Sequence, residues 1–428
     1  MDKYNIDWNK KHILKISNES FSMDDPSEES IEWRKKIEPW LTAIFQSEHF
    51  SLLTGAGLTT AITTLAGKRS QGMERSEFGI FKKEIQEWAD KSSIEMARGQ
   101  ANIEDDLRTA LELLKGLQIQ QTELANYLKD EIDNKLSDFI KNILDTEKNF
   151  EMDKEKSSEA LNYLKSFLIS FVSRAASRDR LQIFTTNYDR FIEYGCDLAG
   201  IYTLDRFIGK VQPIFRTSKI ELDYHYNPPG IRGEPRYVEG VTKLTKLHGS
   251  IDWRFKDGMI IKAALPFGAS QDHPEVPKKA SDHLVIYPNS YKGIDTAFYP
   301  YAELFRDFAS ATCRPNSVLV TYGYGFGDSH INRIIRDMLI IPSTHVVIIS
   351  YDTASGRIEN FIKENNQSQF TLLIGNHFGD LRTLVDSYLP KAAIDRLTER
   401  MQKNVDRRGL AEENKKNSDN RDGALFNG

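Results

Sequence analysis

Apolar positions along this chain change period several times, and the changes divide it into regions. Over 31–45, Trp33, Ile37, Trp40, Leu41 and Ile44 recur on one helical face, and Phe50 to Thr54 then form an apolar run short enough for a buried strand. Helical spacing returns over 78–180 in three runs: Ile103, Leu107, Leu111 and Leu114; Leu124, Leu128, Ile132, Leu136, Ile140 and Ile143; Leu161, Leu164, Leu168 and Phe171. No proline stands between Pro39 and Pro213 and no glycine between Gly116 and Gly195, so nothing punctuates long helices there. The pattern predicts an all-helical insertion over 71–180, between the first two strands of a core.

From 181 onward strands and helices alternate. The pattern predicts a strand over 181–185, a helix over 191–199, a helix over 302–310, strands over 317–322, 345–350 and 370–374, and helices over 331–339 and 357–364. This is the pattern of an α/β fold, a Rossmann-like doubly wound parallel sheet with its core at 31–70 and 181–390. The section 202–300 is rich in aromatics and prolines. It reads as an irregular wall with strands at 241–247 and 284–287 and loops at 227–230 and 273–280. Residues 1–30 read as a loosely held arm, and 391–428 as a helix over 391–401 followed by a disordered tail from 404.

Composition narrows the function. A formal charge of −5 on 428 residues leaves no basic footprint for nucleic acid. Cys196 and Cys313 belong to no Cys-x-x-Cys pair, so neither a disulfide framework nor a four-cysteine zinc site is expected, and no metal. No window of about 18 apolar residues occurs, and no apolar run follows the charged N-terminus. The expectation is a soluble, cytoplasmic protein that does not engage membranes.

Candidate chemistry collects where predicted strands end. Gly55-Ala56-Gly57, with Thr60 where a third fingerprint glycine would stand, follows the first strand. Thr186-Asn187-Tyr188-Asp189 follows the second, Gly323 with Gly325, Asp328 and His330 a later one, and Tyr351-Asp352 the next. In a parallel sheet all four loops converge on the carboxyl edge, where ligands bind. Bland readings stand beside these. The glycine turn serves an ordinary βα connection or a phosphate; Asn187 forms an Asx-turn or faces a cleft; Asp328 and His330 cap a helix or touch a ligand; Asn102, Glu104 and Asp105 cap the run behind them or touch substrate. His248 is a backbone-satisfied histidine or a base.

Thr54-Gly-Ala-Gly57, Asn102-Ile-Glu-Asp105, Thr186-Asn-Tyr-Asp189, Lys246-Leu-His-Gly249 and Gly323-Tyr-Gly-Phe-Gly-Asp-Ser-His330 together resemble the SIR2 superfamily, in its bacterial SIR2-like branch, over roughly 35–385. The resemblance implies that Gly55, Ala56 and Gly57 hold the pyrophosphate of NAD+, that Asn187 lies beside the nicotinamide ribose, and that His248 is the catalytic base. A side chain at Gly57 would then fill the space where the pyrophosphate meets the backbone. Thr60, Thr186, Asp189 and Asp328 complete the implied cofactor-binding set, with Gly323, Gly325, Tyr351 and Asp352 on the adenosine side. The Pro-Asp-Phe-Arg element and zinc cysteines of the deacylase branch are both missing. The resemblance therefore implies an NAD+ glycohydrolase, NAD+ being its substrate, of the kind that serves as an antiphage effector depleting cellular NAD+. It also implies a homo-oligomer and a partner protein such as a HerA-type ATPase or a short Argonaute. A non-catalytic NAD+ or ADP-ribose sensor and an NAD-dependent deacylase are the alternatives.

Overall fold

The computed structural model describes residues 6–26, 30–70, 74–95, 99–152, 154–175, 178–218, 223–226, 236–277, 284–286 and 299–391. The tail expected from 404 and all but the first residue of the helix expected over 391–401 lie outside these, as does the loop at 227–230. The chain divides into two compact units, Met1–Leu389 and Pro390–Gly428, and the elements below belong to the first.

Strands β1 (His12–Ile16) and β2 (Glu19–Met23) precede helix α1 (Ser30–Ile44). Strand β3 (His49–Thr54) runs into α2 (Ala56–Leu65), and α3 (Lys82–Glu95), α4 (Ile103–Ile119), α5 (Leu124–Glu151) and α6 (Lys154–Val172) follow before β4 (Gln182–Thr185). After α7 (Phe191–Leu198) come β5 (Tyr202–Leu204), β6 (Phe207–Ile208), β7 (Ile214–Phe215), β8 (His225–Tyr226), β9 (Arg236–Tyr237), β10 (Val241–Lys246), β11 (Gly249–Lys256), β12 (Met259–Lys262) and β13 (Leu284–Ile286). Then α8 (Tyr301–Thr312), β14 (Ser317–Tyr322), α9 (Ser329–Leu339), β15 (His345–Ser350), α10 (Arg357–Lys363) and β16 (Phe370–Ile374) complete the alternation.

The main sheet has the order β2-β1-β16-β15-β14-β3-β4-β10-β5. Setting aside the three-residue edge strand β5, which pairs parallel with β10, its parallel strands β10-β4-β3-β14-β15-β16, counted along the chain, follow the 3-2-1-4-5-6 order of the dinucleotide-binding fold, so the topological switch falls between β3 and β14. These strands are apolar on both faces. Val320, Val347, Ile349 and Leu373 face one core with Phe167 and Leu168 of α6, while Leu319, Ile348 and Leu372 face another with Ile335 of α9 and Phe361 of α10. The run of β-branched residues at 345–350 is buried on both sides, and this fixes its strand.

Three features correct the sequence reading. The N-terminal segment is no loose arm, because β1 pairs antiparallel with β16 (Ile13 opposite Ile374) and β2 pairs with β1. Ile13 and Leu14 are fully buried, worth about 1.5–3 kcal/mol each. Buried Lys15 donates to Phe370 O at 2.8 Å, which ties the hairpin to the last strand. The section 202–300 holds an ordered five-stranded sheet, β13-β11-β12-β7-β6, and a two-stranded ribbon, β8-β9. Of these strands, β13 falls within the strand expected over 284–287; the others, of two to eight residues, are too short and irregular to show a period in sequence.

The described residues between 78 and 180 carry α3 to α6, yet these helices serve two cores. Leu164, Phe167, Leu168 and Phe171 of α6 pack on the parallel sheet. Ile85, Leu107, Leu114, Leu128, Ile132, Leu136 and Ile140 of α3 to α5 form a separate core that includes Tyr188 and Ile251. That second core reaches the strand ends through Tyr188.

A candidate active site at the strand ends

Register brings the candidate loops level. Tyr322 pairs with Thr54, Thr54 with Thr185, and Thr185 with Lys246, so Gly323, Gly55, Thr186 and Leu247 leave the sheet in one row. Asn187 and His248 both stand two residues past the Thr185–Lys246 pair, on strands about 4.8 Å apart.

At the switch point the glycines meet one another. Gly55 N donates to Tyr322 O (3.2 Å) and Gly57 N to Gly323 O (3.0 Å). A Cβ on Gly57 would lie 2.6 Å from Gly323 Cα, and one on Gly55 2.6 Å from Gly323 O. Gly323 has φ +61° and would drive a Cβ within 2.7 Å of Gly57. These glycines are thus required by backbone packed on backbone. Leu58 N donates to Gly55 O (3.0 Å), and among the described residues the Ala56 N–H alone of amides 55–58 is unclaimed by the turn. It sits in the first turn of α2, a helix of ten residues, where the dipole favours an anion.

On the other side of the switch, side chains do the holding. Buried Asn187 donates through Nδ2 to Gly55 O and to Thr59 Oγ1, both at 3.0 Å. Thr59 Oγ1 donates in turn to Asp189 Oδ2 (2.6 Å), whose Oδ1 accepts from Phe191 N at the start of α7 (3.3 Å). No hydrogen bond from the described residues uses Asn187 Oδ1. Thr186 N donates to Thr54 O (3.1 Å), lacing β4 to β3. Thr60 does not join that chain; its hydroxyl is bonded to Ala56 O and Ser70 Oγ (both 3.1 Å).

His248 sits in the two-residue turn that carries the chain from β10 into β11, and Gly249, at φ +81°, makes that reversal. Its Nε2 lies 2.9 Å from Asp328 Oδ2, and both residues are buried. Asp328 also caps α9, its Oδ1 accepting from His330 N (3.0 Å) and Ile331 N (3.3 Å). One carboxylate therefore orients the histidine and satisfies a helix end. His330 is not the cap; it lies inside the first turn that Asp328 caps. The pairing of His248 with Asp328, 80 positions apart, carries no signal in sequence.

Supports surround this pair. The Tyr188 ring lies 6.0 Å from that of His248, and its hydroxyl donates to buried Glu104 Oε1 (2.7 Å) in the first turn of α4. That turn is a capping box: Asn102 accepts from Glu104 N and Asp105 N, and Asp105 accepts from Asn102 N. Lys246 bonds Asp189 O and Glu193 Oε1 (2.9 Å). Arg190 forms a buried ion pair with Glu147 of α5 (2.5 Å), which also accepts from the Arg190 amide (2.9 Å). Sequence reading gives no role to Thr59, Lys246, Arg190 or Glu147. Their charge or polarity within apolar runs is the signal that could have found them.

Gly325 accepts the Arg357 side chain at its carbonyl (2.6 Å), and Tyr324 and Phe326 turn into the core beneath the loop. Asp352 closes a local turn by accepting from Ala354 N (2.7 Å). Tyr351 is exposed and lines a cleft of about 720 Å³ with His12, Asn376 and His377, on the β1 side of the sheet. Tyr351 and Asp352 follow β15, two strands from β3, and are not gathered with Asn187 and His248.

Residues 181–370 match the family model of the SIR2-like domain. The match runs from β4 to the start of β16 and takes in Asn187, His248 and Asp328. It supports membership of the SIR2 superfamily, and because SIR2-like domains use NAD+, it is compatible with an NAD-utilising enzyme. No curated protein matches the chain. Among the described residues no group of three or more His, Cys, Asp or Glu is placed to hold a metal, and no helix is long and apolar enough to cross a membrane.

Proposed function

We propose that this protein is an NAD+ glycohydrolase, cleaving the nicotinamide–ribose bond to give nicotinamide and ADP-ribose. The observation that carries the reading is the buried pair of His248, in the turn after β10, with Asp328, the cap of α9, level with Asn187 just past β4 at the carboxyl edge of the sheet. With Asp328 accepting from Nε2–H, the base lone pair of His248 is on Nδ1. Water adds through its oxygen to the ribose C1′ as the C1′–N bond breaks. The bonding electron pair goes to the pyridinium nitrogen, so nicotinamide leaves neutral without a general acid. His248 takes the proton of the water and returns it to solvent, while Asp328 stabilises the transient imidazolium. Asn187, fixed through Nδ2, offers Oδ1 to the ribose hydroxyls or the attacking water. The Ala56 amide and the α2 dipole are the anion-binding elements for the pyrophosphate. Gly55 and Gly57 serve by letting that turn close on Gly323.

Incubating the purified chain with NAD+ alone tests this. Nicotinamide release without any acylated peptide is the expected result, and release that depends on an acylated peptide overturns it. The further proposal, an antiphage effector that depletes NAD+ as a homo-oligomer with a HerA-type ATPase or a short Argonaute, rests on the motif resemblance. Light scattering at micromolar concentration then finds more than one protomer, and a monomer counts against it.

A further inference from the structure

The outer strands of the main sheet carry a polar face that a doubly wound core does not require. Gln182 of β4 pairs in register with Lys243 of β10, so both stand on one face together with Thr245 and with Tyr202 and Leu204 of β5. Parallel strands are ordinarily apolar on both faces, yet none of these five side chains is fully buried. The reason lies above them. Helix α8 covers the neighbouring part of that face, where Phe308 meets Phe184 at 4.9 Å, and beyond α8 the cover is the segment 205–218. Between that segment and the sheet is a cavity of about 440 Å³, inside the roughly 300–1,000 Å³ of small-molecule sites.

Its charge is one-sided. Asp205 is matched by Lys262 (2.6 Å) and Asp307 by Arg206 (2.6 Å). Asp223 serves both Arg180 and Lys243, the latter at 3.9 Å. Lys210 and Arg216, which also line the cavity, have no ion-pair partner among the described residues. Positive charge is therefore in surplus. One wall is aromatic: Tyr202 and Tyr224 meet edge to face at 5.1 Å and both keep exposed surface.

We propose that this cavity is a second ligand site, for a small anion of the mononucleotide class: a planar ring stacked on one of Tyr202 and Tyr224 and edge-on to the other, with a phosphate held by Lys210, Arg216 and Lys243. The site is separate from the strand-end chemistry. Gln182 precedes Asn187, and Lys243 precedes His248, by five positions each, so the cavity meets these strands before their carboxyl ends at Thr185 and Lys246.

Calorimetric titration of AMP into the full chain tests the proposal, with adenosine and inorganic phosphate as single-feature probes. AMP is expected to bind at one site, at least tenfold more tightly than either probe and more weakly as salt is raised. The double variant Lys210→Glu/Arg216→Glu and the variant Tyr224→Ala each weaken AMP at least tenfold; these side chains are exposed, so folding is preserved and a thermal melt verifies it. Ala56→Asp, which places a carboxylate at the head of α2, leaves AMP binding unchanged. The proposal is overturned by absence of AMP binding, by phosphate binding as tightly as AMP, by unchanged affinity in the double variant, or by loss of affinity in Ala56→Asp.

Discussion

The two halves of the candidate site are held by different physics. On the β3–β14 side, Gly55, Gly57 and Gly323 touch main chain to main chain, with no side chain between them. On the β4–β10 side, the backbone is held apart by strands and the contacts are side chains: Asn187 to Gly55 and Thr59, His248 to Asp328, Lys246 to Glu193, Arg190 to Glu147. A seam of close backbone contact has no slack, since any added atom must move a whole strand end. A side-chain network has separable parts. One half should therefore fail as a unit, and the other residue by residue.

Gly57→Val is the severest break. The sequence alone reads it as a bar to pyrophosphate binding, but with Gly323 Cα 2.6 Å from the first added carbon, the β3 and β14 ends must separate. Overpacking commonly costs about 1–3 kcal/mol, and a rigid backbone on both sides takes this site to or past that upper value. A thermal melt should show a large loss of stability together with loss of NAD+ binding. A variant that binds nothing yet melts like the parent would show that the glycine serves the ligand and not the seam. Glu147→Ala tests the other half. It leaves the Arg190 guanidinium buried without its carboxylate, and such breaks cost roughly 3–5 kcal/mol. The expected signature is a large drop in the denaturation midpoint; an unchanged midpoint would mean that Arg190 reorganises at no cost.

His248→Ala separates chemistry from structure within the side-chain half. Turnover should fall by roughly 10²–10⁴, about 3–5 kcal/mol of barrier, with NAD+ affinity by calorimetry nearly intact. Nicotinamide release at the parental rate would remove His248 from the reaction.

What the sequence showed of this molecule follows the same division. Strands β14, β15 and β16 were readable to the residue because both faces are apolar and their bounding loops are polar. The strand-end loops were readable as lying on one edge, because a parallel sheet places them there, while the distance of Tyr351 and Asp352 from Asn187 and His248 was not, since it depends on strand order. The hairpin β1–β2 was not readable, since five-residue strands with Lys15 buried on one of them mimic a polar arm. Nor was the purpose of the glycines. A sequence reports that Gly57 lacks a side chain, while only the fold reports that Gly323, 266 positions away, fills the space. The partnership of His248 with Asp328 was hidden for the same reason: a helix cap is a local signal, and the second oxygen of the cap is not.

That second oxygen gives the smallest and most discriminating test. Asp328→Asn keeps an oxygen for His330 N and Ile331 N, so the α9 cap survives and the melting temperature should move little. It replaces the carboxylate facing His248 Nε2 by a group without charge. If Asp328 positions the histidine and stabilises its protonated form, turnover should fall about 10–100-fold, roughly 1.4–2.7 kcal/mol. The pH profile should change with it: a base must be unprotonated to act, so the acidic limb moves to lower pH as the imidazolium loses its anionic partner, while KM for NAD+ stays near the parental value. Asp328→Ala removes both functions and should add the loss of a cap, about 1 kcal/mol of stability, to the same kinetic defect. A purely structural Asp328 would reverse this order, with Asp328→Asn silent in kcat and in pH profile and Asp328→Ala impaired only as far as it is unfolded.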